Sequence, residues 1–414
     1  MSKTRDDRQT QIINNWLDVN KKGTLEACTG FGKTRVALRI LKSLDENGDG
    51  AKVIVPTLYL KNQWEKRIVD FGINPDVVSV DVVNGVVQDY TSNGITHKVE
   101  LLVADEIHRY AAPEFSKLFE CIKYESVLGL SATIPLDYRS ELVNEVAPIF
   151  DRVTLKEALN NDWVSPYIVY SLPVEMTPEE REEYKKINSK YNRFFAFFDH
   201  KLGLVFKVLK NASACRSYAN RVKRSPGFIK GQAANTLRAM NARKTFLHSL
   251  DSKKKVIKQL LDKFDDKLVI CFGQTIEFAD DVASMKETAR PYHSQIKGRE
   301  IAGEYHGKDR TKQHFISEFG DPDSPVNVLS TAKALDEGAD IPSIDVGIIA
   351  AYSSKSLQLI QRIGRVIRKQ PDKRAVIVQL YCPDSQEERW LSESQKKLPF
   401  GSVRSILSLD EIDV

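Results

Sequence analysis

Ala27-Cys-Thr-Gly-Phe-Gly-Lys-Thr34 lies between the short apolar run Leu25-Glu-Ala27 and a segment, Arg35 to Leu44, whose apolar residues recur with a helical period. Strand, glycine-bearing turn and helix, in that order, present backbone N–H groups at a helix N-terminus, as parallel α/β sheets do. Gly30 and Gly32 let the main chain curl around phosphates. Lys33 is then placed to reach the β- and γ-phosphates, and the Thr34 hydroxyl to ligate Mg²⁺. The general form of the pattern opens with glycine, where this chain has Ala27. With Thr29, these residues form a candidate triphosphate cradle, and ATP with Mg²⁺ is the expected cofactor pair.

Downstream, Lys52-Val-Ile-Val-Pro56, Glu100-Leu-Leu-Val-Ala104 and Ser126-Val-Leu-Gly-Leu130 read as buried strands, each followed by polar residues. Ligands of such sheets bind beyond the carboxyl ends of the strands. Asp105-Glu-Ile-His108 stands at one of those ends. Asp105 is placed to hold Mg²⁺ through water, Glu106 to orient or deprotonate an attacking water, and His108 to couple the site to a neighbouring domain. After Pro148 the pattern changes. Tyr167-Ile-Val-Tyr-Ser-Leu-Pro-Val174 reads as a strand, and Thr177-Pro-Glu-Glu opens a helix with an N-cap, proline at its first position and acids in its first turn. The chain is then helical to about residue 262, broken near Ser225-Pro-Gly227. Four further apolar runs follow, at 267–272, 326–330, 346–350 and 375–379. The reading is α/β: two parallel-sheet domains in tandem, 1–150 and 151–400, with a helical insertion at about 177–262 in the second and a C-terminal tail at 401–414.

Of the 414 residues, 61 are Lys or Arg and 56 Asp or Glu, a net charge of +5 that conceals a strong asymmetry. From Lys185 to Lys258 there are 19 basic and two acidic residues (Asp199, Asp251), or +17, and the remainder carries −12. Such an excess, with Phe194, Phe195, Phe197, Phe198 and Tyr218 interleaved, points to phosphate backbones. The phenylalanines read as packing, and Arg221, Lys223 and Arg224 as the contacts. Five scattered cysteines without a Cys-x-x-Cys pair argue against a disulfide framework or zinc site and for an intracellular reducing compartment, cytoplasmic or nucleoid-associated. No long apolar run is present, so no membrane partner is expected, and the polar start Met1 to Arg8 does not read as a signal peptide.

More than 320 residues after the glycine-bearing loop stands Gln361-Arg-Ile-Gly-Arg-Val-Ile-Arg368, three arginines on closely spaced turns of a predicted helix. Loop, acids and arginine helix, with Ser131-Ala-Thr133 after a strand, resemble motifs I, II, VI and III of the superfamily 2 helicases and translocases. The resemblance runs in order from about residue 8 to 380 and implies two RecA-like domains. It implies that Gln11 meets the adenine, and that Pro56 and Thr57, with Gln63-Trp64, touch the nucleic-acid backbone as motif Ia. Ser131 and Thr133 would couple the two functions, and Phe272 ends a strand as motif IV does. Ser330 to Pro342 is similar to motif V, in which Thr331 would touch the strand and Gly338 and Asp340 would face the nucleotide. Gln361, Arg365 and Arg368 match the catalytic positions of motif VI, the arginines serving as fingers.

Within the superfamily the arrangement is most similar to XPB, UvsW and the type III restriction ATPase subunits, on Gln63-Trp64, the Leu172-to-Arg181 stretch and Asp340-Ile-Pro342. Those groups mostly act on DNA duplexes and branches, so DNA is the preferred partner, with replication, recombination or repair proteins beside it. The absence of a nuclease constellation suggests a minimal motor. RNA unwinding, and an ATP-gated clamp that switches without unwinding, are the alternatives the residues leave open; a P-loop kinase is at odds with the second sheet.

Overall fold

The computed structural model describes residues 4–47, 50–112, 114–115, 117–135, 138–301, 303–332, 341–342, 344–351, 362–364, 366, 374–396, 398–399 and 401–413. The first sheet comprises β1 (Lys22–Ala27), β2 (Ala51–Val55), β3 (Val78–Val82), β4 (His97–Asp105), β5 (Ile122–Ser131) and β6 (Ile149–Val153), in the order β3-β2-β4-β5-β1-β6 and parallel throughout. β2 is buried along its whole length, as a central strand covered on both faces must be. Three helices matter for the site: α1 (Arg5–Asp18), α2 (Lys33–Asn47) and α3 (Leu58–Asp70). Because β4, β5 and β1 are neighbours, the loop after β1, the acids at the end of β4 and Ser131 at the end of β5 meet at one sheet edge, although far apart in sequence.

The second sheet comprises β7 (Tyr167–Pro173), β8 (Val269–Gly273), β9 (Ala289–Tyr292), β12 (Val328–Ala332), β13 (Val346–Ile349), β14 (Ala375–Tyr381) and β15 (Val403–Ser405), again parallel, in the order β15-β7-β14-β13-β8-β12-β9. A separate antiparallel hairpin, β10 (Arg299–Ile301) and β11 (Glu304–His306), precedes the helix Lys308–Gly320. One apolar cluster runs from α1 and α2 through Trp163, Val164 and Tyr167 into the second sheet, so the two halves share packing. β6 pairs with β1 up to Val153, beyond the expected boundary at 150, and Trp163 packs on Phe31 of the phosphate loop with ring centroids 5.4 Å apart. In the C-terminal tail, β15 pairs with β7, and Ile406 and Ile412 are buried in the second core.

Between β7 and β8 rise the helices Pro178–Ala196, Leu202–Lys210, Ala212–Val222 and Pro226–His248. Thr177 caps the first in a reciprocal box with Glu180, and Ser225 caps the last, with Pro226 at its first turn. Their apolar residues, Phe198, Val205, Val208, Tyr218 and Ile229 among them, form a core of their own. The next helix, Asp251–Lys263, belongs instead to the second sheet, burying Ile257, Leu260 and Leu261 against it. Among the described residues, no helix is long and apolar enough to cross a membrane.

Candidate active site

The loop from Cys28 to Gly32 turns at two glycines with left-handed backbone, Gly30 at φ +85° and Gly32 at φ +101°. Any other residue would be strained at either position, and its β-carbon would crowd Gln9 Nε2 at 2.8 Å from Gly32 or Val164 Cγ1 at 3.2 Å from Gly30. α2 starts at Lys33 directly after the loop, so its free N–H groups and positive end face the loop's concavity. Lys33 Nζ donates to the Ala27 carbonyl at 3.0 Å. A cavity of about 530 Å³ opens over Thr29, Gly30, Gly32, Lys33 and Thr34, a size that suits a small-molecule ligand.

Arg5, Lys33, Arg35 and Arg67 also line this cavity, and among the described residues no carboxylate does. Burial and the neighbouring Arg35 both push the Arg5 pKa down, as expected for cations crowded where an anion belongs. Sequence reasoning missed Arg5, Arg35 and Arg67, because three separate helices bring them together. The buried glutamine at the loop is Gln9, whose Nε2 donates to the Phe31 carbonyl at 3.2 Å; Gln11, expected at the adenine, is exposed on α1. Arg8 locks α1 in place through Asp151 at 2.6 Å and Glu157 at 3.0 Å.

The acids stand at the end of β4. Glu106 adopts a left-handed backbone (φ +52°), a strained conformation for a side-chain-bearing residue and one that clusters at functional sites. Asp105 is buried; its Oδ1 accepts from the Glu106 N–H at 3.0 Å and its Oδ2 from Trp64 Nε1 at 2.9 Å. Burial first, then the charge of Glu106, pushes the Asp105 pKa up to about 6, with Trp64 and Lys33 opposing. His108 Nδ1 lies 2.9 Å from Ser131 Oγ and 3.4 Å from Glu106 Oε2, and Ser131 Oγ donates to the Thr133 carbonyl at 3.0 Å. His108, Ser131 and Thr133 thus form one chain of contacts beside the acids. Cys28, inside the loop, is buried and its thiol is pushed up to about 11, which makes it inert rather than activated by the helix N-terminus.

From the second half, Gly364 reaches the same cavity, so close that a β-carbon on it would overlap Thr29 Oγ1. Arg362 turns away: it is buried, donates to the Ala351 carbonyl at 2.6 Å and lies over the Phe272 ring, tying the ends of β8 and β13 together. Gln361, Arg365, Arg368, Gly338 and Asp340 lie outside the described residues.

Trp64, Phe272 and Thr331, expected to touch a strand, are all buried, Trp64 against Asp105 and the other two side by side in paired strands. Pro56, Thr57 and Gln63 are half-buried, with Thr57 Oγ1 accepting from the Leu60 N–H at 3.3 Å. In the insertion Arg221, Lys223 and Arg224 are exposed; Arg221 pairs with Asp199 at 3.5 Å and covers the Tyr218 ring. Phe198 is core, whereas Phe206 and Phe228 are each 41% exposed, two aromatics that the sequence reading passed over.

A phosphate loop, adjacent acids and two parallel sheets sharing one cationic cavity define a P-loop nucleotide hydrolase. Residues 2–136 match the family model of the type III restriction enzyme res subunit, and residues 252–370 that of the helicase conserved C-terminal domain. The chain is built from superfamily 2 helicase/translocase domains and is an ATP-hydrolysing enzyme. It is 25% identical over 396 residues to the DNA 3'-5' translocase XPB2 of Sulfurisphaera tokodaii, covering 92% of this chain and 82% of that one. A shorter stretch of 131 residues is 34% identical to a putative ATP-dependent RNA helicase, QP509L, of African swine fever virus, 26% of this chain and 24% of that one. Among solved structures, the Hef helicase domain of Pyrococcus furiosus superposes with a TM-score of 0.56 at 16% identity, over 94% of this chain and 97% of that one. The ATP-dependent Type ISP restriction-modification enzyme LlaBIII bound to DNA gives 0.60 at 15% identity, over 99% of this chain but only 32% of the larger enzyme.

Proposed function

We propose that this chain couples ATP hydrolysis, with Mg²⁺, to movement along or remodelling of duplex or branched DNA. The observation that carries the reading is the shared cavity. The loop of the first sheet and Gly364 of the second unit meet over a cluster of cations, four of them among the described residues, so a bound triphosphate bridges both units and its hydrolysis changes their relative hold. Thr34 and Asp105 would hold the metal, and Glu106 would align the attacking water. They fit a divalent cation: two adjacent acids are packed together, and Glu106 Oε2 is buried without a hydrogen bond. Among the described residues there is no cluster of three metal-binding side chains, which suits an ion completed by phosphate oxygens and water. When bound, Mg²⁺ neutralises charge on the transferring phosphoryl group. Arg365 and Arg368 would supply the fingers, with Gln361, Gly338 and Asp340 on the same side of the cleft and Gln9 rather than Gln11 next to the loop. The five cysteines, all buried and unpaired, suit a reducing compartment, in which replication, recombination or repair proteins would be the chain's partners.

The basic helices would grip DNA through phosphates, with little regard to sequence. Replacing Arg221, Lys223 and Arg224 together by alanine is expected to weaken DNA binding and to make the plot of log affinity against log salt shallower by about two to three. Hydrolysis without nucleic acid is expected to persist. Fluorescence anisotropy at several salt concentrations checks this, and an unchanged slope would remove these residues from the interface. The broader test is the ATPase rate with single-stranded DNA, duplex, a four-way junction and RNA. Stimulation by duplex or junction is expected, and a preference for RNA would overturn the DNA assignment.

A further inference from the structure

α3 joins two places that the candidate site leaves separate. Its first residue, Leu58, is 63% exposed and follows the Pro56-Thr57 turn at the end of β2. Two turns on, Trp64 is 1% exposed, and its indole N–H points inward to Asp105 Oδ2 at 2.9 Å. A second tie lies beneath. The buried Tyr110 hydroxyl is 3.0 Å from the Ile54 carbonyl, just before the turn, and 2.7 Å from the Asp105 carbonyl. The turn and the acid are therefore connected twice, once through the side chain of Asp105 and once through its backbone. Packing alone does not ask for an indole: a phenyl ring would fill an apolar space, and only the N–H answers a carboxylate.

We propose that Trp64 is a positioning residue through which strand engagement at the Pro56–Leu58 turn orients the Asp105 carboxylate, so that nucleic-acid binding and ATP hydrolysis are coupled along α3. The inference rests on the function proposed above and assigns its coupling to one hydrogen bond. α3 is a single rigid element between the two sites, and a shift of its exposed first turn is carried to Trp64 without any loop to absorb it. Coupling of this kind is reciprocal: what DNA does for the nucleotide site, bound nucleotide does for DNA affinity.

Trp64→Phe keeps an aromatic ring in place and removes the N–H. In the full chain, the ratio of DNA-stimulated to unstimulated ATPase rate is expected to fall about 10-fold, whatever the unstimulated rate, a size typical of coupling between sites. The change in DNA affinity on adding a non-hydrolysable ATP analogue, read by anisotropy, is expected to shrink by the same factor. A purely structural tryptophan would lower both rates together and leave both ratios unmoved, and that outcome overturns the proposal. Tyr110→Phe cuts only the backbone tie and leaves the Trp64–Asp105 hydrogen bond, so both ratios are expected to stay near wild type; a fall of about 10-fold in this variant would assign the coupling to the backbone and overturn the proposal, whether or not Trp64→Phe folds. A wild-type rate indifferent to every nucleic acid would instead sink the functional reading, and this coupling with it.

Discussion

Lys33→Ala is expected to lower ATP hydrolysis by about 10³-fold, with the fold retained. Of the four cations that line the cavity among the described residues, Lys33 directly follows the loop, with its ammonium 3.0 Å from the Ala27 carbonyl. The other three, Arg5, Arg35 and Arg67, can attract a polyanion to the site but do not extend from the loop itself. Losing Lys33 removes charge where it develops in the transition state, so turnover should suffer more than nucleotide capture. Phosphate release with and without DNA measures the first, and binding of a fluorescent ATP analogue the second. Glu106→Gln should separate the two further, because an amide cannot take a proton but leaves the cationic cavity intact: turnover is lost and nucleotide stays bound. A Lys33→Ala protein hydrolysing ATP within tenfold of wild type would remove the loop from the active site.

Lys253→Met is expected to cost about 3–5 kcal/mol of stability, the largest loss anticipated away from the site. The Lys253 and Glu387 side chains are both wholly buried, 2.6 Å apart, and Lys253 Nζ also donates to the Ala350 carbonyl at 3.2 Å. Glu387 in turn accepts from the Cys382 N–H at 3.0 Å. The pair joins the helix Asp251–Lys263, the end of β13 and the helix Gln386–Gln395. Burial pushes the Glu387 pKa up, and Lys253 is the first influence opposing it. Removing Lys253 strands a carboxylate in an apolar core with one backbone bond to satisfy it. Thermal unfolding should shift down by about 10 °C. The double variant Lys253→Met with Glu387→Leu should recover most of the loss, since an apolar pair avoids desolvating two charges. A single variant as stable as wild type would show that water reaches this pair.

Both sheets and the order of their chemistry were legible in the sequence, because buried parallel strands are written as short apolar runs and ligand loops follow their carboxyl ends. What the sequence concealed was direction. Phe272 and Thr331 stand in strands covered on both faces, where motif membership says nothing about exposure, and they proved to be buried neighbours. Gln9 shares the buried stripe of α1 with Ile12 and Trp16, three and seven residues on, while Gln11 falls off that stripe. Trp64 stands in the expected element, and its contact with Asp105 carries no signal in the sequence. Arg5, Arg35 and Arg67 carry no local signal, since only the packing of α1, α2 and α3 brings them to one cavity. β6, which runs across residue 150, is an edge strand, half-buried for most of its length, and lacks the apolar run by which the central strands announce themselves.

The separate core of the basic helices has a consequence for how such a chain can change over generations. Phe198, Val205, Tyr218 and Ile229 close on one another, so substitutions among them, or on the charged surface they support, are felt first within the arm and only remotely by the sheets. Its entry and exit, the helices Pro178–Ala196 and Pro226–His248, run alongside each other, and a different set of helices could be grafted at the same two stems. Selection can therefore retune what is held without disturbing how ATP is hydrolysed, and a laboratory exchange of arms between related motors would follow the same seam.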